Sequence, residues 1–183
     1  MFELNPNQSH SYGFFSHSYA FDDRAELIHR ATRLFNLAMS RGRFARIKRW
    51  ITRASGQLLD LNNLAVSNLR AQYYGGVRPV AIKKICGSLG RVNDFDCDFN
   101  PLDSRLRDRW RSIAMAYLHH IELQPVELIQ VAERYFVLDG HHRISVAHTL
   151  GKCAIDAEVT VWSVLQSLPW NVYQYAEPQL QAV

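Results

Sequence analysis

The stretch Glu133 to Leu150, ERYFVLDGHHRISVAHTL, leaves the fewest folding options of any part of the chain. Tyr135 to Leu138 is an apolar run of strand length, Gly140 is a break, and Ile144, Ala147 and Leu150 recur at the spacing of one helix face. The pattern predicts a strand that turns at glycine straight into a helix over 142–150, closed by Gly151. Just upstream, VELIQV at 126–131 reads as a partner strand, with Ala132-Glu133-Arg134 as a hairpin connection. AIDAEVTVW at 154–162 reads as one more strand, so this region is a mixed α/β unit.

The polar turn itself, Asp139-Gly140-His141-His142-Arg143, is where chemistry is expected. The first N–H groups of a helix lack partners and carry the positive end of its dipole, so a glycine-tipped strand-to-helix turn can admit a phosphate. Arg143 is placed to clamp it. His141 and His142 can donate to phosphate oxygens or move protons near neutral pH, and Asp139 can orient a histidine or help bind magnesium. The competing reading is structural: the histidines cap the helix and Arg143 pairs with Asp139.

Upstream the chain falls into zones. Residues 1–20 are rich in Ser, His and aromatics without period and read as an arm. Leu27, Ala31, Leu34 and Ala38 then mark a helix expected to end near Ser40 to Gly42, followed by a second from Arg43 to Arg53 with Phe44, Ile47 and Ile51 on one side. The stretch 56–78, with Gly75-Gly76, reads as turn-rich, and PVAIKKI at 79–85 as a strand. Beyond it, Gly87 and Gly90 flank Ser88, a loop suited to phosphate. Asp94, Asp96 and Asp98 alternate with Phe95 and Phe99, either as a strand exposing acids on one face or as a loop of oxygen ligands for magnesium. PLDSRLRDRWRSIAMAYLHH, from Pro101, reads as a helix capped by Asp103. The domain boundaries expected are an arm 1–20, a basic helical extension 21–75, an α/β domain 76–165 and a tail 166–183.

Charge is concentrated. Between 24 and 53 lie nine basic residues against Glu26 alone, although the whole chain carries only +4. Arg43, Arg46, Lys48, Arg49 and Arg53 form its densest part, a polyanion-binding candidate whose attraction salt would weaken. The apolar side of that helix is short for a membrane surface, and no membrane partner is expected. The three cysteines have no CxxC spacing, and the N-terminus lacks the build of a secretory signal, which together point to a reducing, cytoplasmic setting.

From about Pro79 to Trp162 the chain resembles the ParB/sulfiredoxin superfamily. Leu123-Gln124-Pro125-Val126 is similar to the segment that follows that family's helix, Gly140 and Arg143 fall at the ends of the partitioning proteins' GERR motif, and Ala147, Leu150 and Gly151 match the helix and glycine beyond. The resemblance implies a small mixed sheet with packed helices, preceded here by an N-terminal helical extension, whose strand-to-helix turn holds nucleotide phosphates. His141 stands where the partitioning proteins have glutamate and where sulfiredoxins have their reactive cysteine, so sulfinic-acid repair is excluded. DGHHR as a whole looks like the free-serine-kinase branch and ParB-like nuclease-domain proteins.

Two classes of function follow. One is a nucleotide-binding protein that holds a nucleoside di- or triphosphate (ATP, ADP or CTP) with Mg2+ and hydrolyses or transfers a phosphoryl group. Its residues are Gly87, Ser88, Gly140, His141, His142 and Arg143 for binding, His141, His142 and Asp139 for catalysis, and Asp94, Asp96 and Asp98 for the metal. The other is a DNA- or RNA-binding or nuclease module acting through the basic helix.

Overall fold

A computed structural model describes residues 13–52, 57–65 and 69–164 of the chain. The order is helix α1 (Gly13–Thr52), strand β1 (Leu59–Asp60), helix α2 (Leu61–Ala65), strands β2 (Leu69–Ala81) and β3 (Ile85–Ser88), helix α3 (Arg107–Leu118), strands β4 (Val126–Val131) and β5 (Arg134–Asp139), helix α4 (His141–Thr149) and strand β6 (Ala154–Val164). The strands form one six-stranded mixed sheet in the order β1-β3-β5-β4-β6-β2. β1, β3 and β5 run parallel, β4 is antiparallel to β5 and parallel to β6, and β2 closes the far edge antiparallel to β6. This is the mixed α/β architecture with an N-terminal helix that the pattern predicts.

The sheet is covered on both faces. On one, Phe35 of α1, Trp110 of α3 and Ile144 of α4 pack on Val126, Leu128, Val137 and Val159. Phe35 and Trp110 meet edge to face at 5.6 Å, and the buried Trp110 indole N–H donates to Ser145 Oγ at 2.8 Å, tying α3 to α4. On the other face Leu61 of α2 covers Ile129, Val131 and Phe136. Alternation of inward residues along β4 and β5 is what serves both layers.

Three expectations are corrected. The basic extension is one 40-residue helix, not two, and it begins at Gly13 inside the stretch read as an arm. Gly42 does not end it: a Cβ there would lie 3.2 Å from Asn100 Cβ, so the glycine admits close contact with the 100–102 segment. Gly75-Gly76 is not a turn but a bulge within β2, where the register against β6 shifts and Gly76 has φ +80°. PVAIKKI is not one strand, because a 3-10 turn at Ile82–Lys84 carries the chain from β2 at the sheet edge to β3 near the other.

Candidate functional site

β5 delivers Asp139 to the sheet edge of a turn that only glycine can make. Gly140 has φ +100°, and a Cβ on it would lie 2.5 Å from Val126 Cγ1, so both backbone conformation and close approach exclude a side chain. The first backbone bond of α4 runs from Ile144 N–H to Gly140 O at 3.0 Å. The N–H groups of His141, His142 and Arg143 therefore have no partner within the helix.

Both histidines are buried, His141 at 5% and His142 at 6% exposure, and they enclose Phe95. His141 stacks on its ring and His142 meets it edge-on, at 6.0 and 5.4 Å between centroids. His141 Nε2 lies 2.7 Å from Ser88 Oγ. That hydroxyl already accepts from the N–H groups of Gly90 and Arg91, each at 3.1 Å. Its own proton has two acceptors in reach, the Val137 carbonyl at 3.3 Å and Nε2 of the neutral His141 ring, and which it takes is set by the tautomer of that ring. Burial first, and then the neighbouring Arg91, holds His141 down to a pKa of about 4; burial first, and then Arg109, does the same to His142. Both are neutral at pH 7. His142 Nδ1 is buried with no hydrogen-bond partner.

Arg143, which also lines the small cavity at this turn, has its guanidinium held by other partners. Its Nη1 donates to the carbonyls of Gln124 and Pro125, and its Nη2 pairs with Asp139 at 2.7 Å. The arginine locks the start of β4 to the end of β5, as the structural reading of DGHHR holds. Two other guanidinium groups border the small cavity at this turn, about 30 Å³ beside Asp139, Gly140 and the histidines: those of Arg91 and Arg109. Arg91 makes a loose pair with Asp94 at 3.7 Å, whereas the exposed Arg109 makes no ion pair with a described residue. A larger hollow, about 520 Å³ beside Tyr117, Gln124, Pro125 and Asp156, opens next to the two carbonyls that Arg143 binds.

Ser88 is brought to the turn, and it acts by positioning His141. Gly87 is not in contact with it: a Cβ there would meet Leu59 O at 2.3 Å and Phe136, so this glycine serves the packing of β1, β3 and β5. The three alternating acids form neither a strand face nor a metal cage. Asp96, nearly buried, accepts from Arg49, from the Asn100 side chain and from the N–H groups of Asp98 and Asn100. Asp98 pairs with Arg49 at 2.6 Å and Asp94 with Arg91. Among the described residues no three His, Cys, Asp or Glu side chains gather as a metal site.

Of the basic helix, Arg43, Arg46 and Lys48 are exposed, while Arg49 is engaged by Asp96, Asp98 and Cys97. Arg53 lies outside the described residues. Phe44, Ile47 and Ile51, the apolar side, also face outward, at 73%, 56% and 69% exposure. The face toward the domain is Gly42, Ala45 and Arg49. Sequence reasoning missed Arg91, Arg109 and Phe95. Arg109 is one of four arginines at alternate positions from Arg105 to Arg111, and nothing in that run marks which one reaches the turn.

No protein-family model matches the chain, and no curated protein matches it. Among solved structures, a sulfiredoxin from Arabidopsis thaliana aligns over 55% of this chain and 97% of that one, at 14% identity and a TM-score of 0.35. A likeness at that level does not assign a family.

Proposed function

We propose that the protein is a ParB/sulfiredoxin-like nucleotide-binding protein, nearest to the free-serine-kinase-like branch, that seats a terminal phosphate of a nucleoside di- or triphosphate at the N-terminus of α4. The observation that carries the reading is the buried, unpartnered Nδ1 of His142. A buried polar atom without a partner is costly, and His142 lines the small cavity together with Arg91 and Arg109, next to the N–H groups of His141, His142 and Arg143 that find no partner within α4. An oxyanion would complete all of them. The cavity, about 30 Å³, has room for about two waters, so the phosphoryl head would sit at its mouth with the nucleoside outside.

The chemistry this arrangement suits is phosphoryl hydrolysis or transfer. With Nδ1–H of the neutral His142 given to the oxyanion, its Nε2 is the ring nitrogen left to take a proton from an attacking water or hydroxyl, while His141 is held by Ser88. Asp139, paired with Arg143, holds the turn. Magnesium fits only as the nucleotide's own counter-ion, since the described residues build no cage for it, and no step is assigned to it. A second reading, DNA or RNA binding with nuclease activity, draws on the exposure of Arg43, Arg46 and Lys48.

Calorimetric titration of the protein with ATP, ADP, CTP and GTP, with and without magnesium, tests the proposal. Arg109→Ala should weaken binding on the order of tenfold or more at unchanged stability, because a charge-assisted contact is worth roughly 1.5–3 kcal/mol. Absence of binding to well-folded wild type at millimolar nucleotide would sink it.

A further inference from the structure

The outer face of α1 is both apolar and basic. Because α1 is one helix, Leu37, Phe44 and Ile51 fall on a single line, seven residues apart, with Ile47 beside it. All four are exposed, and Trp50, on the shoulder, is 82% exposed. Helical geometry puts Arg41 and Lys48 along one flank of this line and Arg43 along the other, all exposed, with the exposed Arg46 farther round the helix. No Asp or Glu occurs between Glu26 and Asp60. The opposite face of the same helix is held to the domain by Arg49 on Asp96 and Asp98 and by the close approach at Gly42. The outer face is thereby presented in a fixed direction.

We infer that the outer face of α1, from Leu37 to Ile51, is a docking surface for an anionic lipid bilayer. Charge complementarity selects a negatively charged occupant. A second copy of the chain is disfavoured, since seam-to-seam pairing would set Arg43 and Lys48 against the same charges. Nucleic acid would use the cations and stack on Phe44 and Trp50, but it offers nothing to Leu37, Ile47 and Ile51. A bilayer interface takes up all five apolar side chains while the flanking cations reach the headgroups. No helix among the described residues is long and apolar enough to cross a membrane, and the docking inferred here is peripheral.

The test is co-sedimentation of the full chain with vesicles of phosphatidylcholine alone and with about one third phosphatidylglycerol, at low and at roughly physiological salt. The wild type should bind anionic vesicles at least about tenfold more tightly than neutral ones, and less so as salt rises. Arg43→Gln with Lys48→Gln should lower the anionic affinity on the order of thirtyfold, at about fivefold per cation. Phe44→Ser with Ile51→Ser should lower binding at least about tenfold on anionic vesicles. All four positions are exposed, and an unchanged circular dichroism spectrum would show that each variant folds. The inference fails if wild type ignores anionic vesicles at low salt, or if the Phe44/Ile51 variant binds as well as wild type. It fails equally if random-sequence single-stranded DNA or RNA is retained while vesicles are not, which would make the face a nucleic-acid surface.

Discussion

Lowering the pH from about 7.5 to about 5 should destabilise this protein through His141 and His142. Both imidazoles are held near pKa 4 in the folded state, against 6.5 for the free group, with burial as the main cause. A base whose folded pKa lies below its unfolded one binds more protons when unfolded. The stability it contributes is complete above about pH 6.5 and is lost as pH falls toward 4. From 6.5 to 5 each histidine loses about 2 kcal/mol, at about 1.4 kcal/mol per pH unit, or about 4 kcal/mol for the pair. With a urea dependence of about 2 kcal/mol per molar for a chain of this size, the denaturation midpoint should drop by about 2 M. Asp103, held low first by the Arg105 N–H and then by its side chain, titrates below this window. The assay is urea denaturation followed by circular dichroism at several pH values, for wild type and for His141→Gln with His142→Asn. The glutamine keeps an amide within reach of Ser88, and the double variant should be less stable at neutral pH but nearly flat down to pH 5. If wild type and double variant lose the same stability, or if either imidazole resonance titrates near 6.5 by NMR, the account of two buried neutral histidines is wrong.

Arg143→Ala should cost about 3 kcal/mol of stability by leaving the Gln124 and Pro125 carbonyls and Asp139 without their donor, measured as a shifted urea midpoint, with Arg143→Lys recovering part of it. Gly140→Ala should lower the thermal midpoint by the equivalent of about 2 kcal/mol or more, since it meets both a left-handed backbone and Val126. Asp96→Ala should cost about 3 kcal/mol even in the presence of a chelator, because Arg49, Asn100 and two N–H groups lose their acceptor. A loss that appears only with magnesium present would instead mark Asp96 as a metal ligand.

The strands β4, β5 and β6 and the helix α4 were legible in the sequence to within two residues, because each carries its own period and is bounded by its own turn residues. Asp103 was legible as a cap, and its carboxylate accepts from Arg105 N–H at 2.8 Å, but what it caps is a 3-10 turn at Ser104–Leu106 that leads into α3. Gly42 and Gly75 were misread because a glycine that ends an element and a glycine that admits a neighbour look alike until the neighbour is known, while Gly76 serves the bulge through its positive φ. Asn100 and Val161, the neighbours in question, lie far away in the chain. The stripe Phe44, Ile47 and Ile51 has the helical period of a buried face, and period alone does not say whether a domain lies on that side. At the site, the i,i+4 spacing of Asp139 and Arg143 was enough to offer the pairing that the structure contains. Arg91 and Arg109 come from a loop and a helix that meet only in three dimensions, so no local pattern pointed to them.

The sheet order also sets a timetable for synthesis. β2, complete at Ala81, pairs among the described strands only with β6, which begins at Ala154. On a ribosome adding roughly 5–20 residues per second, β2 therefore waits several seconds with its ladder unmade and Val80, buried in the finished fold, uncovered. β4 is in a similar position, able to form its hairpin with β5 at once but lacking its second neighbour until the same late strand emerges. A nascent chain stalled before Ala154 should thus hold a formed α4 turn beside a half-built sheet, a state exposed to holdase chaperones and to protease cleavage within Leu69–Ala81.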